Sequence, residues 1–303
     1  MQLVIRHLSK SYPNGTQALK DVSLDVPPGM FGLLGRNGAG KSTLMRILAT
    51  LQEPDGGSVT LGDLDVLRQK DRVRETLGYL PQSFGFHPRV SAERLLEHFA
   101  VLKGLVEPGP RRDVVDALLR RTNLWEVRRH RVGTFSGGMR QRLGVAVALL
   151  GDPKLIIVDE PTAGLDPEER VRFLNLLSEI GEASAVILST HIVEDVEELC
   201  SRLAIIDRGE ILLEAEPSRA VAQLRGRIWR RTVSRDELPA LERALPVIST
   251  KLMAGRMLAH VYAEASPGPA FEAVEPDMKD VYFSVMTGQH GRRATASRSE
   301  VAA

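Results

Sequence analysis

Apolar and polar residues follow different periods along the chain, and each period predicts one type of element. Strict alternation over residues 18–26 is typical of a half-exposed antiparallel strand. Unbroken apolar runs over residues 30–34 and 155–158 are typical of strands buried in the middle of a parallel sheet. Apolar residues three to four positions apart predict amphipathic helices, for example over residues 111–122.

The same patterns predict the order of elements along the whole chain. Strands are predicted at residues 3–7, 18–26, 30–34, 58–61, 77–80, 155–160, 184–190, 202–207 and 211–214. Helices are predicted at residues 42–51, 91–104, 111–122, 137–150 and 167–181. Beyond residue 217 the pattern weakens to strands at 227–233, 247–253 and 257–264 and a helix at 237–244. This C-terminal part is predicted to be a small α+β appendage.

Composition narrows the class of protein. The chain has 303 residues, 43% of them hydrophobic, which is enough for one large domain and a smaller one. The net charge of +1 gives no global attraction to nucleic acid or to an anionic membrane. The single cysteine, Cys200, is expected to be a small buried residue in a reducing compartment. Without a signal peptide or an apolar run of about 20 residues, the chain is expected to be soluble or peripheral to a membrane.

A glycine-rich stretch between a predicted strand and a predicted helix carries the strongest chemical signal. It reads Gly-Arg-Asn-Gly-Ala-Gly-Lys-Ser-Thr and fits the pattern G-x-x-x-x-G-K-[ST]. Its glycines let backbone N–H groups surround a triphosphate, Lys41 adds a point charge, and Ser42 offers a hydroxyl to Mg²⁺. The predicted phosphate-binding residues are Gly35, Asn37, Gly38, Ala39, Gly40, Lys41, Ser42 and Thr43.

Polar residues also follow three other predicted strands. Asp159 and Glu160 end one apolar strand, Gln82 follows another, and His191 follows a third. Ligands of open α/β sheets bind where the strands end. Asp159 and Gln82 are therefore predicted to ligate Mg²⁺, and Glu160 is predicted to polarise an attacking water. Two acids at a strand end can also serve only solubility, but their order beside a phosphate loop favours the catalytic interpretation.

A second anion site is predicted at residues 136–138. Ser136 is a good N-cap, and Gly137 and Gly138 directly after it would leave the first N–H groups of a helix bare. Two glycines cost a helix up to about 1 kcal/mol each, so capping alone does not explain them. An arginine excess over residues 111–131 fits a solvated helical face better than a nucleic-acid surface, and no nucleic-acid partner is predicted.

With these motifs in order, residues 1–216 closely resemble the nucleotide-binding subunit of ATP-binding cassette (ABC) transporters. Gly35–Thr43 matches the family's Walker A loop, Gln82 the Q-loop, and Phe135–Met139 the signature. Asp159 and Glu160 match the Walker B end, residues 163–166 the D-loop with Asp166, and His191 the switch histidine. The resemblance implies an adenine-stacking role for Tyr12, catalytic roles for Glu160, Gln82 and His191, and nucleotide contacts for Ser136, Gly137, Gly138 and Asp166.

The resemblance also implies a fold, cofactors and partners. The fold class is α/β: a P-loop NTPase core with a mixed sheet, an antiparallel β subdomain, an α-helical insert and a small C-terminal α+β appendage. The implied cofactors are ATP and Mg²⁺. The implied partners are an integral membrane permease and a second copy in a head-to-tail homodimer, at the cytoplasmic face of the cell membrane. Expected boundaries are 1–216 for the ATPase domain with the insert at about 83–150, 217–287 for the appendage, and 288–303 for a disordered tail.

Some positions depart from the commonest family pattern. Arg36 replaces a usual proline, while Phe135 and Met139 replace the leucine and glutamine of the signature. Arg36 is expected to leave the phosphate cradle intact. The two signature changes, with the Met-Arg-Gln-Arg run at residues 139–142, resemble the bacterial ABC-2 branch, which tends towards export. Two alternatives stay open: a soluble ATPase of the superfamily, which usually has two cassettes or a long coiled coil, and a nucleotide-dependent regulator without turnover.

Overall fold

The computed structural model describes residues 1–289. Its strands are β1 (Leu3–Ser11), β2 (Gln17–Val26), β3 (Gly29–Leu34), β4 (Gly56–Leu61), β5 (Leu64–Asp65), β6 (Leu77–Leu80), β7 (Leu155–Asp159), β8 (Ala185–Thr190), β9 (Arg202–Asp207), β10 (Glu210–Ala215), β11 (Ile228–Val233), β12 (Val247–Met253), β13 (Arg256–Tyr262) and β14 (Glu272–Ala273). Its helices are α1 (Lys41–Leu48), α2 (Lys70–Thr76), α3 (Ala92–Leu102), α4 (Pro108–Arg121), α5 (Gly137–Ala148), α6 (Pro167–Gly181), α7 (Val193–Leu199), α8 (Pro217–Ala222), α9 (Leu238–Ala244) and α10 (Met278–Met286).

The described chain divides into two compact units. The first contains Met1–Ser201 with Arg208–Glu210, and the second contains Arg202–Asp207 and the residues from Ile211 on. A disordered tail was predicted at residues 288–303, and residues 290–303 of it lie outside the described part of the chain. Within residues 1–289, none of the helices has the length and hydropathy needed to span a membrane.

Four parallel strands form the centre of the first unit. β3 pairs with β8, β8 with β7, and β7 with β6, and all five residues of β7 are buried. Their register aligns the strand ends, because Leu34 is opposite Thr190 and Asp159 is opposite Ser189. The residues that follow these strands therefore leave the sheet at the same edge, as in other α/β proteins.

An antiparallel sheet in the order β2-β1-β4-β5 belongs to the same unit. Leu3 lies opposite Val26 on one side and Leu61 on the other, and all three side chains are buried. Apolar and polar residues alternate along β2 because one face of the strand packs in the core while the other face is in contact with water. The predicted fold class is confirmed, with both kinds of sheet and helices in one α/β architecture.

Several helix boundaries differ from the predicted ones by one to three residues, and the two largest differences have local reasons. α1 stops at Leu48 rather than 51, because Thr50 takes a left-handed φ of 60° and Leu51 is exposed. α4 begins at Pro108 rather than 111, because prolines are tolerated in the first turn, where no intrahelical donor is required. α5 stops at Ala148 rather than 150, with Leu149 as its C-cap.

The arginines near α4 are partly engaged by an aromatic ring. The guanidinium carbons of Arg120 and Arg128 lie 3.6 and 3.7 Å from the centroid of the Trp125 ring. Such cation–π contacts contribute about 0.5–1 kcal/mol each at exposed sites. These two side chains therefore help to order the segment between α4 and α5.

The second unit has its own sheet and its own small core. Strands β12, β13, β11 and β14 lie side by side in that order, and Val233, Leu241, Ala259 and Val261 are buried together. Helix α10 was not predicted from the sequence. It starts with a capping box in which Asp277 and Asp280 each accept a hydrogen bond from the other's backbone N–H.

Candidate functional site

The glycine-rich loop lies between β3 and α1, as its sequence context predicts. Gly40 has a φ of 111°, and a Cβ atom there would come within 2.5 Å of the Ala18 carbonyl oxygen. Only glycine fits this position. The described residues give α1 neither a side-chain N-cap nor an acidic residue in its first turn. Its first N–H groups and its positive end are therefore available to an anion.

A cavity of about 680 Å³ opens beside this loop. It is lined by nine of the predicted site residues, namely Tyr12, Asn37, Gly38, Gly40, Lys41, Ser42, Thr43, Gln82 and Glu160. Its lining also contains five residues that the sequence analysis missed, namely Thr16, Gln17, Ala18, Lys20 and Arg208. None of the five belongs to a recognisable motif, because they come from β2 and the loop before it and from the turn between β9 and β10.

Tyr12 is held at the rim of the cavity by its hydroxyl group. The hydroxyl oxygen lies 3.1 Å from Thr43 Oγ1 and 3.1 Å from Gln52 Nε2. Burial raises the pKa of Tyr12, but hydrogen bonds with Thr43 and Gln52 and the charges of Arg46 and Lys10 outweigh it. The net pKa is lowered. The ring is thus anchored directly to the first helix after the phosphate loop.

Lys41 reaches back across its own loop. Its Nζ atom donates hydrogen bonds to the carbonyl oxygens of Gly35, at 2.7 Å, and Arg36, at 3.2 Å. The same atom lies 3.2 Å from Glu160 Oε1. The Lys41 side chain is only 4% exposed, so solvent screens its charge weakly.

Three predicted site residues meet at the carboxylate of Glu160. Besides Lys41, Gln82 Nε2 donates to Glu160 Oε2 at 3.2 Å, and His191 Nδ1 lies 3.2 Å from the same oxygen. Glu160 has a left-handed φ of 48°, and its N–H donates to the Ser189 carbonyl at 2.8 Å. A non-glycine residue in this region costs about 1–3 kcal/mol. Seven other described non-glycine residues also have a positive φ, so the conformation of Glu160 is informative only together with its contacts.

Asp159 has the properties of a cation ligand. It is 2% exposed, and its Oδ1 atom is buried with no hydrogen-bond partner among residues 1–289. Burial raises the pKa of the nearby Tyr79, and the Asp159 charge raises it further. In residues 1–289 no group of three or more His, Cys, Asp or Glu could hold a metal alone. A carboxylate, a hydroxyl such as Ser42 and phosphate oxygens still fit Mg²⁺, which usually binds few protein ligands.

The second predicted anion site lies outside this cavity. Ser136 caps α5 by accepting a hydrogen bond from Met139 N at 3.1 Å, and Gly137 has open space around it. Gly138 has a packing reason to be glycine, because the Glu169 side chain lies over it and would overlap a Cβ atom. The expectation that both glycines serve an anion is therefore weakened for Gly138. Residues 136–138 are not among the described residues that line the cavity.

Asp166 and His191 are also not among the described residues that line the cavity. Asp166 caps α6 by accepting a hydrogen bond from Glu169 N at 2.9 Å. His191 contacts the site through Glu160. The sequence analysis also missed Asp195, a fully buried carboxylate that contacts the segments carrying Glu160 and His191.

Known proteins are similar to this chain over the region that contains the phosphate loop and Glu160. Residues 19–163 match the sequence profile of the family described as ABC transporter. An uncharacterized ABC transporter ATP-binding protein, YdbJ of Bacillus subtilis, is 39% identical over 65% of this chain and 64% of its own length. The linearmycin resistance ATP-binding protein LnrL of the same organism is 34% identical over 69% of this chain and 68% of its own. The chain thus spans about two thirds of these relatives.

A solved structure extends the comparison to the fold. The dimeric post-hydrolysis state of the ATP-binding cassette MJ0796, bound to ADP and Pi, is 25% identical. It covers 71% of this chain and 98% of its own, with a TM-score of 0.64. The region that matches the family profile, residues 19–163, contains the phosphate loop and Glu160. By its sequence, its fold and its relatives, the chain belongs to the ABC transporter family, among the ATP-binding proteins of that family.

Proposed function

We propose that this chain hydrolyses ATP and that the hydrolysis powers transport by a separate integral membrane permease. The observation that carries the proposal is the convergence of Lys41, Gln82 and His191 on the Glu160 carboxylate beside the phosphate loop. A site that only bound nucleotide would have no need of a carboxylate held in a strained backbone conformation at this place.

Each residue has a role that follows from its position. Backbone N–H groups of Asn37–Ser42 and the Lys41 ammonium group hold the β- and γ-phosphates. Glu160 accepts a proton from the attacking water, and His191 orients the Glu160 carboxylate. Tyr12 supplies a ring for the adenine base. Gln82 connects the site with the segment that follows it in the chain.

The proposal includes Mg²⁺ because the site offers the oxygen ligands that this cation requires. Asp159 Oδ1, Ser42 Oγ and the side-chain oxygen of Gln82 are the atoms that would hold it. When bound, the cation would neutralise part of the phosphate charge that develops during transfer. Asp159 is buried at a strand end, which keeps its carboxylate in place without solvent screening.

The second half of the site is proposed to come from another copy of the chain. Ser136, Gly137 and Gly138 are not in the lining of their own chain's cavity among the described residues. A head-to-tail dimer brings the N-terminus of α5 from one copy to the γ-phosphate held by the other. The dimeric arrangement of the MJ0796 cassette supports this proposal. Asp166, at the N-terminus of α6, is proposed to line the same interface.

The proposed partner is a permease at the cytoplasmic face of the cell membrane, and the proposed direction is export. Support comes from the resistance function in the name of LnrL. We also propose residues 1–216 as the ATPase domain, with the helical insert at about 83–150, and 217–287 as an appendage. A regulator that binds nucleotide without turnover is the competing function, and intact Glu160 and His191 speak against it.

Phosphate release from Mg-ATP by the full-length chain tests the catalytic part of the proposal. Wild type should release phosphate continuously, and omission of Mg²⁺ should abolish the release. A wild-type chain that binds ATP but releases no phosphate, alone and with its permease in membrane vesicles, would favour the regulator. Co-purification with a membrane protein of about six apolar spans tests the partner.

A further inference from the structure

Asp195 is a completely buried carboxylate that contacts three separate segments. It lies on α7, four residues after His191, and its exposure is 0%. Its Oδ2 atom accepts hydrogen bonds from Thr162 Oγ1 at 2.6 Å and from Thr190 Oγ1 at 3.4 Å. Its Oδ1 atom accepts from Arg170 Nε at 2.9 Å.

The two threonines belong to the segments that carry the proposed catalytic residues. Thr162 is two residues after Glu160, and Thr190 immediately precedes His191. Glu160 and His191 touch each other at 3.2 Å, so the Thr162–Asp195–Thr190 bridge joins the same two segments a second time. Thr190 Oγ1 also accepts from Ile192 N at 3.0 Å, which holds the backbone on both sides of His191.

Charge neutralisation alone does not account for this arrangement. A buried carboxylate needs a paired cation, and Arg170 provides one, with Nη2 at 2.7 Å from Oδ1. The other oxygen is left for the two hydroxyl groups. Both threonine side chains are at least 97% buried, so no water competes for their hydrogen bonds. The Oδ2 atom therefore acts as a fixed point between the ends of β7 and β8.

We propose that Asp195 is a positioning residue for hydrolysis: it holds the segment after Glu160 and the residue before His191 in the register that lets these two side chains meet. The inference rests on the proposed function, because it assigns Asp195 an effect on turnover. It acts through Thr162 and Thr190, and it is not among the described residues that line the cavity. Losing the bridge should leave the phosphate loop intact while the Glu160 carboxylate loses its orientation.

Thr162→Val is the sharpest test, because it removes only the hydroxyl and keeps the Asp195–Arg170 pair. We expect kcat to fall about tenfold, since small misplacements of catalytic groups have effects of at least this size. The dissociation constant for ATP and the Tm should stay near those of wild type. Thr162→Ser, which keeps the hydroxyl, should restore kcat. Thr122→Val is the matched control, because Thr122 is also buried and donates its hydroxyl, to Leu118 O at 2.8 Å, away from the site.

Asp195→Ala and the double variant complete the test. If Thr162 acts through Asp195, adding Thr162→Val to Asp195→Ala should lower kcat no further, because no partner for the Thr162 hydroxyl is left at position 195. Wild-type kcat in Thr162→Val would overturn the inference, as would an equal loss in Thr122→Val or a loss that Thr162→Ser fails to restore. An inactive wild type would instead count against the proposed function. Dimer formation on ATP binding is a second readout. Glu160→Gln chains should form the dimer equally well with and without Thr162→Val.

Discussion

The carboxylate of Glu160 lies 3.2 Å from the ammonium group of Lys41, and neither side chain is more than a tenth exposed. This ion pair joins the phosphate loop after β3 to the residue after β7. A γ-phosphate has the same sign of charge as Glu160 and would compete with it for Lys41. We therefore expect nucleotide binding to loosen the ion pair and to leave the Glu160 carboxylate able to accept a proton.

Glu160→Gln separates binding from turnover. The amide keeps the shape of the side chain but cannot take a proton, so hydrolysis should fall by about 10² or more while ATP binding stays near wild type. Lys41→Ala should lose both, because Lys41 also holds the ground state. Phosphate release and the binding of a fluorescent ATP analogue measure the two quantities. An equal loss of binding and hydrolysis in Glu160→Gln would assign Glu160 a structural role.

The second anion site predicts a dimer that depends on ATP. Glu160→Gln protein with Mg-ATP should sediment as a dimer, since ATP then stays bound between the two half-sites. Adding Ser136→Arg should leave it monomeric but still able to bind ATP. Ser91→Arg is the matched control, because Ser91 is the N-cap of α3 and loses the same kind of hydrogen bond. A dimer that survives Ser136→Arg, or forms without nucleotide, would place the interface elsewhere.

The two signature glycines should respond differently to alanine. Gly138→Ala brings a methyl group into the Glu169 side chain, which also pairs with Arg142, so stability should fall by about 1–3 kcal/mol. Gly137→Ala has open space and should be neutral or slightly stabilising, by up to about 1 kcal/mol. Thermal unfolding of both variants checks this difference. The losses caused by Gly138→Ala and Glu169→Ala should be less than additive in the double variant, because Glu169→Ala removes the clash but leaves the buried Arg142 guanidinium unpaired.

The segment after Gln82 should contact the permease. His87 is exposed, whereas Phe84 packs against Phe86 with ring centroids 5.0 Å apart. His87→Cys should therefore cross-link to the partner in the assembled complex more readily than Phe84→Cys. His7→Cys is the control, because the His7 side chain on β1 is exposed, and it should remain unlinked. Cross-linking from His7 alone would disprove this placement.

Cys200 should resist thiol reagents in the folded chain. Burial raises the pKa of its thiol to about 12, and the charge of Asp195 adds to the shift. At pH 8 the thiolate fraction should be about 10³-fold lower than in the unfolded chain. Because the folded pKa is raised, the associated stability is complete below about pH 9 and is lost as pH rises towards 12. Labelling rates with and without denaturant measure the effect, and rapid labelling of the native chain would contradict it.

The sequence by itself was enough to predict the motifs that carry the proposed chemistry and most of the regular elements. The glycine-rich loop, the buried strands before Glu160 and His191, and the capped start of α6 are local patterns, and local patterns persist in any fold that accommodates them. The short helices α2, α7, α8 and α10 were missed, because six to nine residues carry too few apolar positions to define a period.

Only the tertiary structure decided which residues meet. Lys41, Gln82 and His191 are separated by 41 to 150 positions, and the parallel register of β3, β8, β7 and β6 is what brings them to one carboxylate. The Glu169 side chain over Gly138 and the bridge from Asp195 to Thr162 and Thr190 have no signal in the sequence. Side-chain contacts between distant segments depend on packing, and packing is set by the whole fold and not by any stretch of it.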